Sequence, residues 1–359
     1  MKRKTGLTLA LVLAVPPTML WTPLRAQDKD ELLVKERPDL VTPRIEKAVR
    51  RGLTWLKQKQ SGSGAWTAGN GSWGSYPTAM TALAGMALMG SGSTTTRGPY
   101  AKAISRSVDF LLNRCARPDG LICAPNEQSR SMYGHGFSML FLGSVYGSEQ
   151  DLTRQRKLKK VLKRGIKLIS RSQSQAGGWL YTPDSGGDEG SVTVTQVQGL
   201  RACRNAGISV PKKTIKKAIE YIEKSRCPDG GIAYRVGMSG SRPPITAAAV
   251  AVLYNAGKYD SPMAAKALAY CKKRIAIDAS SGGRMWGHYY YSHLYMAQAM
   301  YQAGDKEWRW YYPKIARALL KRQEADGSWN ESGVGKVYGT AIALTILQLP
   351  YEKLPIYSR

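Results

Sequence analysis

The sequence predicts an all-α fold in which six outer and six inner helices alternate in a closed double ring. Three observations predict it. A glycine or Asp-Gly turn followed by an apolar residue recurs at Trp66, Leu121, Trp179, Ile232, Trp286 and Trp329, at intervals of 55, 58, 53, 54 and 43 residues; a period of this size marks a repeat architecture. The two helices of each unit differ in kind: the first is amphipathic and rich in Lys and Arg, the second is rich in Ala, Met and Val with almost no charge, which is the pattern of a wetted outer layer around a buried inner one. Neither terminal unit has the polar face that caps an open solenoid. Closing the ring covers both ends.

Residues 1–26 read as an export signal, with Lys2, Arg3 and Lys4 before an apolar run from Leu7 to Val15 and a cleavage point after Ala26. The run is too short to span a bilayer comfortably. No membrane span is therefore expected after cleavage, and the expected location is periplasmic or extracellular. Loss of the four basic residues in this segment leaves +24 of the formal charge of +28. Such a charge favours anionic partners: an envelope polymer such as an acidic polysaccharide, an anionic lipid, or pyrophosphate. Nucleic acid is disfavoured in an exported chain. Residues 27–42 are charged and aperiodic, the pattern of an extended arm, and residues 43–359 form the ring.

Unit one pairs IEKAVRRGLTWLKQKQ with PTAMTALAGMALMG around the turn at Trp66. Unit two pairs YAKAISRSVDFLLNR with GHGFSMLFLGSVYG around Pro118, Asp119 and Gly120. In unit three, LTRQRKLKKVLKRGIK places Leu158, Leu162 and Ile166 on one face and its cations on the other. Its second helix begins after the acidic loop of Asp184, Asp188 and Glu189 and stops at Asn205 and Gly207. Units four to six repeat the scheme with KKTIKKAIEYIEKSR and ITAAAVAVLYNAG, SPMAAKALAYCKKRI and HYYYSHLYMAQAMYQAG, and YPKIARALLKRQ and YGTAIALTILQL. Among the five cysteines, Cys115 and Cys123 flank a turn and can close a small loop, whereas Cys203 and Cys271 sit in helical patterns as buried thiols.

Three turns share a leading glutamine: QSGSGAW ending at Trp66, QSQAGGW at Trp179 and QEADGSW at Trp329. With these motifs the chain resembles the prenyltransferase and squalene oxidase repeat proteins, members of the terpenoid cyclase and protein prenyltransferase α/α toroid superfamily. The resemblance implies that the glutamine and tryptophan clamp neighbouring helices. It implies a cyclase or transferase chemistry only where the motifs follow. The DxDD acid motif is absent, and the nearest acids, Asp188 and Glu189, stand at a helix start where capping alone favours them. His293 loosely matches the zinc histidine of the transferases, but the partner Asp and Cys are missing. No metal and no cofactor are expected. Asp188, Glu189 and His293 remain the candidate catalytic residues.

Aligning the units on the tyrosine before each inner helix puts Thr78, His135, Thr195, Thr246, His293 and Thr340 at one position. On that alignment, His135 and His293 face each other across the ring. Trp73, Tyr76, Tyr133, Trp286, His288, Tyr289, Tyr290, Tyr291 and Tyr338 supply aromatic and polar lining near the same helix starts, a combination suited to ligand binding. The expected ligand is isoprenoid-like or a glycan held in the central cavity. Three functions fit: a cyclase-like enzyme, a non-catalytic exported toroid that recruits a polyanion, peptide or glycan, and a glycosidase or lyase. The last ranks lowest, because a glycosidase needs two opposed carboxylates.

Overall fold

The computed structural model describes residues 37–69, 75–184, 186–278 and 288–357. The expected signal segment, most of the expected arm, Trp73, Trp286 and the turn at Gly282 and Gly283 lie outside the described residues. Among the described residues, twelve α-helices alternate between two layers. The outer layer is α1 (Pro43–Lys59), α3 (Ala101–Phe110), α5 (Leu152–Arg171), α7 (Lys212–Lys224), α9 (Pro262–Arg274) and α11 (Asp305–Arg322). The inner layer is α2 (Pro77–Met89), α4 (Ser131–Tyr146), α6 (Gly190–Asn205), α8 (Pro243–Asn255), α10 (Tyr289–Ala303) and α12 (Lys336–Gln348).

Local chemistry sets the helix starts. Pro43, Pro77, Pro243 and Pro262 open α1, α2, α8 and α9, where the missing N–H has no intrahelical partner to lose. Thr42, Asp151 and Ser261 cap α1, α5 and α9 through their side-chain oxygens. Every residue of α2 is buried. By contrast, α5 buries Leu158, Leu162, Gly165, Ile166, Leu168 and Ile169 along one face and leaves its cations in water. This contrast is the sequence pattern made structural: an all-round apolar helix needs neighbours on every side.

Each inner helix packs on the next, and α12 packs back onto α2, so the inner ring is closed. The outer ring closes where α1 meets α11. The glutamines of the turns make the outer joints. Gln60 Nε2 donates to the Gly64 and Ala103 carbonyls, both at 2.9 Å, and Gln173 Nε2 to those of Gly177 and Thr214 at 2.8 and 2.9 Å. Gln323 Nε2 donates to the Gly327 and Ala48 carbonyls, both at 2.9 Å, and so ties the last unit to the first. Gly177 shows why these turns need glycine: its φ is +106°, and a Cβ there would stand 2.2 Å from the Lys217 carbonyl oxygen.

The tryptophans lock each turn to its own outer helix. Nε1 of Trp66, Trp179 and Trp329 donates to the carbonyls of Leu56, Ile169 and Leu319 at 2.8, 2.8 and 2.7 Å. Their backbone N–H groups donate inward, to the hydroxyls of Thr81, Thr193 and Thr340 at 3.0, 3.0 and 2.9 Å. In unit four Ile232 donates to Thr246 at 2.9 Å, and in unit two Ile122 donates to Nδ1 of His135 at 3.1 Å. These bonds correct the sequence alignment. The counterpart of the tryptophans in unit two is Ile122, not Leu121, and the residues equivalent to His135 are Thr81 and Thr193, not Thr78 and Thr195.

Residues 349–357 fold under the C-terminal ends of the inner helices and bury Leu349, Tyr351, Leu354, Ile356 and Tyr357. No described helix is long and apolar enough to cross a membrane.

Candidate functional site at the mouth of the inner ring

Tyr291, Tyr295 and Gln298 share one face of α10, and Ser191 and Gln198 share one face of α6, because residues three, four and seven apart lie above one another on a helix. The two faces meet: Gln198 Nε2 donates to Gln298 Oε1 at 2.6 Å. Since α8 stands between α6 and α10 in the inner ring, this bond links two inner helices that are not ring neighbours. It lies about two turns in from the N-terminal ends of α6 and α10. Above it lies the mouth.

Glu189 dominates the mouth. It is fully buried and caps α6: Oε1 accepts the Val192 amide at 2.7 Å and Oε2 the Ser191 amide at 2.8 Å. Ser191 Oγ lies 2.8 Å from both oxygens and 2.5 Å from the Tyr133 hydroxyl, which itself donates to Oε1 at 3.2 Å. Burial raises the Glu189 pKa, and these donors oppose the shift. With both oxygens engaged, the carboxyl has no free edge to present to a reacting atom.

Half-buried tyrosines surround this group. Tyr133 stacks on Tyr181 with centroids 6.0 Å apart, the Tyr181 and Tyr234 hydroxyls touch, and the Arg130 guanidinium covers the Tyr181 ring at 4.8 Å. Tyr291 packs edge-on against Tyr295 at 4.9 Å. Their two hydroxyls are buried and close enough to interact with each other, and neither has another hydrogen-bond partner among the described residues. Tyr133, Tyr338 and Glu189 all lie close enough to Tyr291 to help push its hydroxyl pKa well up, although burial is the larger cause. The mouth is thus aromatic at its walls and carries hydroxyls awaiting a partner.

The histidines do not face each other across the axis. His135 follows Tyr133 by two residues and His293 follows Tyr291 by two, about 200° around the helix, so axial tyrosines force both imidazoles outward. His135 accepts the Ile122 amide, and His293 Nδ1 lies 2.8 Å from the hydroxyl of Tyr311 on α11. Burial lowers their pKa values to about 4 and about 3, so both rings are neutral in the fold. His293 is also packed against Tyr289, whose ring lies beneath the Arg322 guanidinium at 4.0 Å.

The remaining sequence candidates scatter. Asp188 turns away from Glu189 toward the outer layer and accepts from Ser174 Oγ at 2.8 Å. Tyr289 donates to the Ile277 carbonyl at 2.9 Å, and Tyr290 packs edge-on against it. Tyr76 stands just before α2 with φ +38°, a strained value for a residue with a Cβ, and its side chain makes no cap hydrogen bond. His288 precedes α10 at the surface. Two carboxylates escaped the sequence reading. Glu127 accepts the Thr78 amide at 2.9 Å and so caps α2, while Glu331 accepts the Tyr290 amide at 3.1 Å at the start of α10. Both are buried, and burial raises both pKa values, that of Glu331 to about 7. With Glu189 they mark alternate helices of the inner ring. No group of three His, Cys, Asp or Glu side chains among the described residues is arranged to hold a metal.

The sequence matches no protein-family model and no curated protein. Solved structures do match. A variant of the type II terpene cyclase MstE from Scytonema, in complex with geranylgeranyl dihydroxybenzoate, superposes with a TM-score of 0.60 at 14% identity, over 87% of this chain and 98% of that one. An α-1,6-mannanase of Salegentibacter in complex with α-1,6-mannotriose superposes with a TM-score of 0.60 at 8% identity, over 84% and 97% of the two chains. A protein from Actinoplanes gives 0.57 at 16% identity, over 86% and 99%. At such identities the likeness concerns the fold, and the fold is the α/α toroid that these proteins share with this chain.

Proposed function

We propose that the protein is a ligand-binding toroid whose mouth takes a molecule with a flat apolar body and a hydroxyl-bearing head, of the isoprenoid-alcohol type. The observation that carries this reading is the pair of buried hydroxyls, Tyr291 and Tyr295, which have no hydrogen-bond partner beyond each other among the described residues and are set among tyrosine faces beside a carboxylate already saturated by donors. The aromatic faces cover the apolar body, and the free hydroxyls exchange hydrogen bonds with the head. Binding is favoured over cyclase chemistry because Glu189 would have to abandon its cap to deliver a proton. Support from the neighbours is limited to their fold and to the isoprenoid-bearing substrate of the Scytonema cyclase. Titration with farnesol and geranylgeraniol, followed by calorimetry, tests the proposal against α-1,6-mannotriose as the glycan competitor. Micromolar binding of a prenyl alcohol, weakened about tenfold by Tyr291→Phe as expected for one lost hydrogen bond, supports it. Saturable binding of the sugar alone overturns it in favour of a glycan site.

A second reading, recruitment of an anionic envelope polymer, rests on α5. Arg156, Lys159, Lys160, Lys163, Arg164 and Lys167 are exposed there, and none has an ion-pair partner among the described residues. Helical spacing puts them in one stripe. Retention on an acidic-polysaccharide column, eluting at lower salt when Lys160, Lys163 and Lys167 become Gln, supports this role. Elution unchanged by the three substitutions removes it. Export through residues 1–26 belongs to the same proposal and is tested by the N-terminal sequence of the protein recovered from the cell envelope.

A further inference from the structure

We propose that Cys115 and Cys123 are the two halves of an intramolecular disulfide that closes the turn of unit two. The inference starts from register. Ala116 and Ile122 form an antiparallel bridge, Arg117 N donates to the Leu121 carbonyl at 2.8 Å and Cys123 N to the Cys115 carbonyl at 3.0 Å. Cys115 and Cys123 are therefore opposite one another, at a place in an antiparallel ladder where Cα atoms stand about 5.5 Å apart. That separation falls in the range that a disulfide spans without backbone movement.

Directly opposed residues of an antiparallel pair project to the same face. Cys115 Sγ accepts a weak hydrogen bond from Thr78 Oγ1 at 3.7 Å, and Cys123 Sγ donates to the Ala124 carbonyl at 3.1 Å. Thr78 Oγ1 in turn accepts the Ala124 amide at 2.9 Å. Thr78 at the start of α2 thus touches the Cys115 thiol directly and reaches Ala124, the residue to whose carbonyl the Cys123 thiol donates. Unit four shows that the turn does not need cysteines. There Arg226 and Ile232 form the bridge and Ala233 N donates to the Ser225 carbonyl at 2.8 Å, the same geometry with Ser225 and Ala233 in the facing places. The other cysteines belong to different elements: Cys203 to α6, Cys227 to the turn of unit four and Cys271 to α9.

The reaction is thiol–disulfide exchange with a small-molecule disulfide. Each thiol gives up a proton and the pair gives up two electrons to form the S–S bond, and the oxidant is reduced to two thiols. Both cysteines are buried in the folded chain, and burial pushes the thiols up to about 12 and about 11, so exchange is slow once the turn is packed. The bond accordingly forms as the chain folds.

The test is to unfold the full chain, refold it in a buffer of oxidised and reduced glutathione, and count free thiols in denaturant. Three of the five are expected to remain free, and the tryptic peptide of residues 115–130, which carries both cysteines, is expected two hydrogens lighter without reductant. In Cys115→Ser, treated alike, all four remaining thiols stay free. Five free thiols in the refolded protein, or a cross-link to Cys203, Cys227 or Cys271, overturns the proposal. Both readouts use the unsubstituted chain, so they hold even if the serine variant fails to fold.

Discussion

The Nδ1 atom of His135 accepts the backbone amide of Ile122 in the place that a threonine hydroxyl fills in the turns of Trp66, Trp179, Ile232 and Trp329. A neutral imidazole is required there, because a protonated ring has no acceptor to offer. The folded pKa, lowered to about 4, lies below the ordinary 6.5. As pH falls through 6.5 the unfolded chain takes up a proton that the folded one refuses, so stability declines between about pH 6.5 and 4. His135→Thr restores the hydroxyl of the other units and is expected to flatten this part of the acid limb, by at most about 3 kcal/mol. Urea unfolding of both proteins at pH 7 and pH 4.5 reads the difference.

Gln323 carries the seam of the ring. Replacement by Ala removes its bonds to Gly327 and Ala48 and is expected to cost roughly 1–3 kcal/mol. Gln60→Ala and Gln173→Ala remove equivalent bonds at interior joints. Hydrogen exchange separates the cases: only Gln323→Ala is expected to speed exchange selectively in α1. Equal exchange in α1 for all three would mean that the seam is no weaker than the other joints.

Glu189→Gln tests the cap. An amide offers one oxygen where the Ser191 and Val192 amides meet two, and its NH2 group is turned toward donors. A loss of about 1–3 kcal/mol is expected, together with faster exchange in the first turn of α6. A variant as stable as the wild type would show that the helix start does not depend on the carboxylate.

Glu331 works in the opposite sense to His135. Its folded pKa is raised from 4.5 to about 7, mainly by burial. The folded state holds the proton more tightly than the unfolded one, so this group's contribution is full below pH 4.5 and is lost as pH rises toward 7. Glu331→Gln is expected to remove that decline, with a ceiling of about 3 kcal/mol. Melting temperatures measured from pH 4.5 to 7.5 decide it.

The layers, the closure and the clamp were legible because each depends on a repeated local pattern. Outer helices alternate apolar and basic faces, inner ones are apolar throughout, and the Gln and Trp of three turns recur at fixed spacing. Register across units was less legible. From turn amide to its acceptor the chain runs 15 residues in unit one, 13 in unit two, 14 in units three and four and 11 in unit six, so an alignment anchored on the tyrosines slips. The outward turn of His135 and His293 could have been read from their two-residue offset from Tyr133 and Tyr291. Glu127 and Glu331 could not, because each caps a helix of the preceding unit, 49 and 41 residues away, and no local pattern announces that bond.

The hydrogen bond between Gln198 and Gln298 gives the molecule a gauge. From Ser191 to Gln198 is about 10 Å along α6, so on the proposed ligand reading this bond would limit how deep a guest could reach. Short chains would sit wholly inside, while long ones would leave a tail in the solvent, available to another molecule. Trimming both glutamines to Ala would lengthen the gauge, and the preferred chain length of the guest would shift with it.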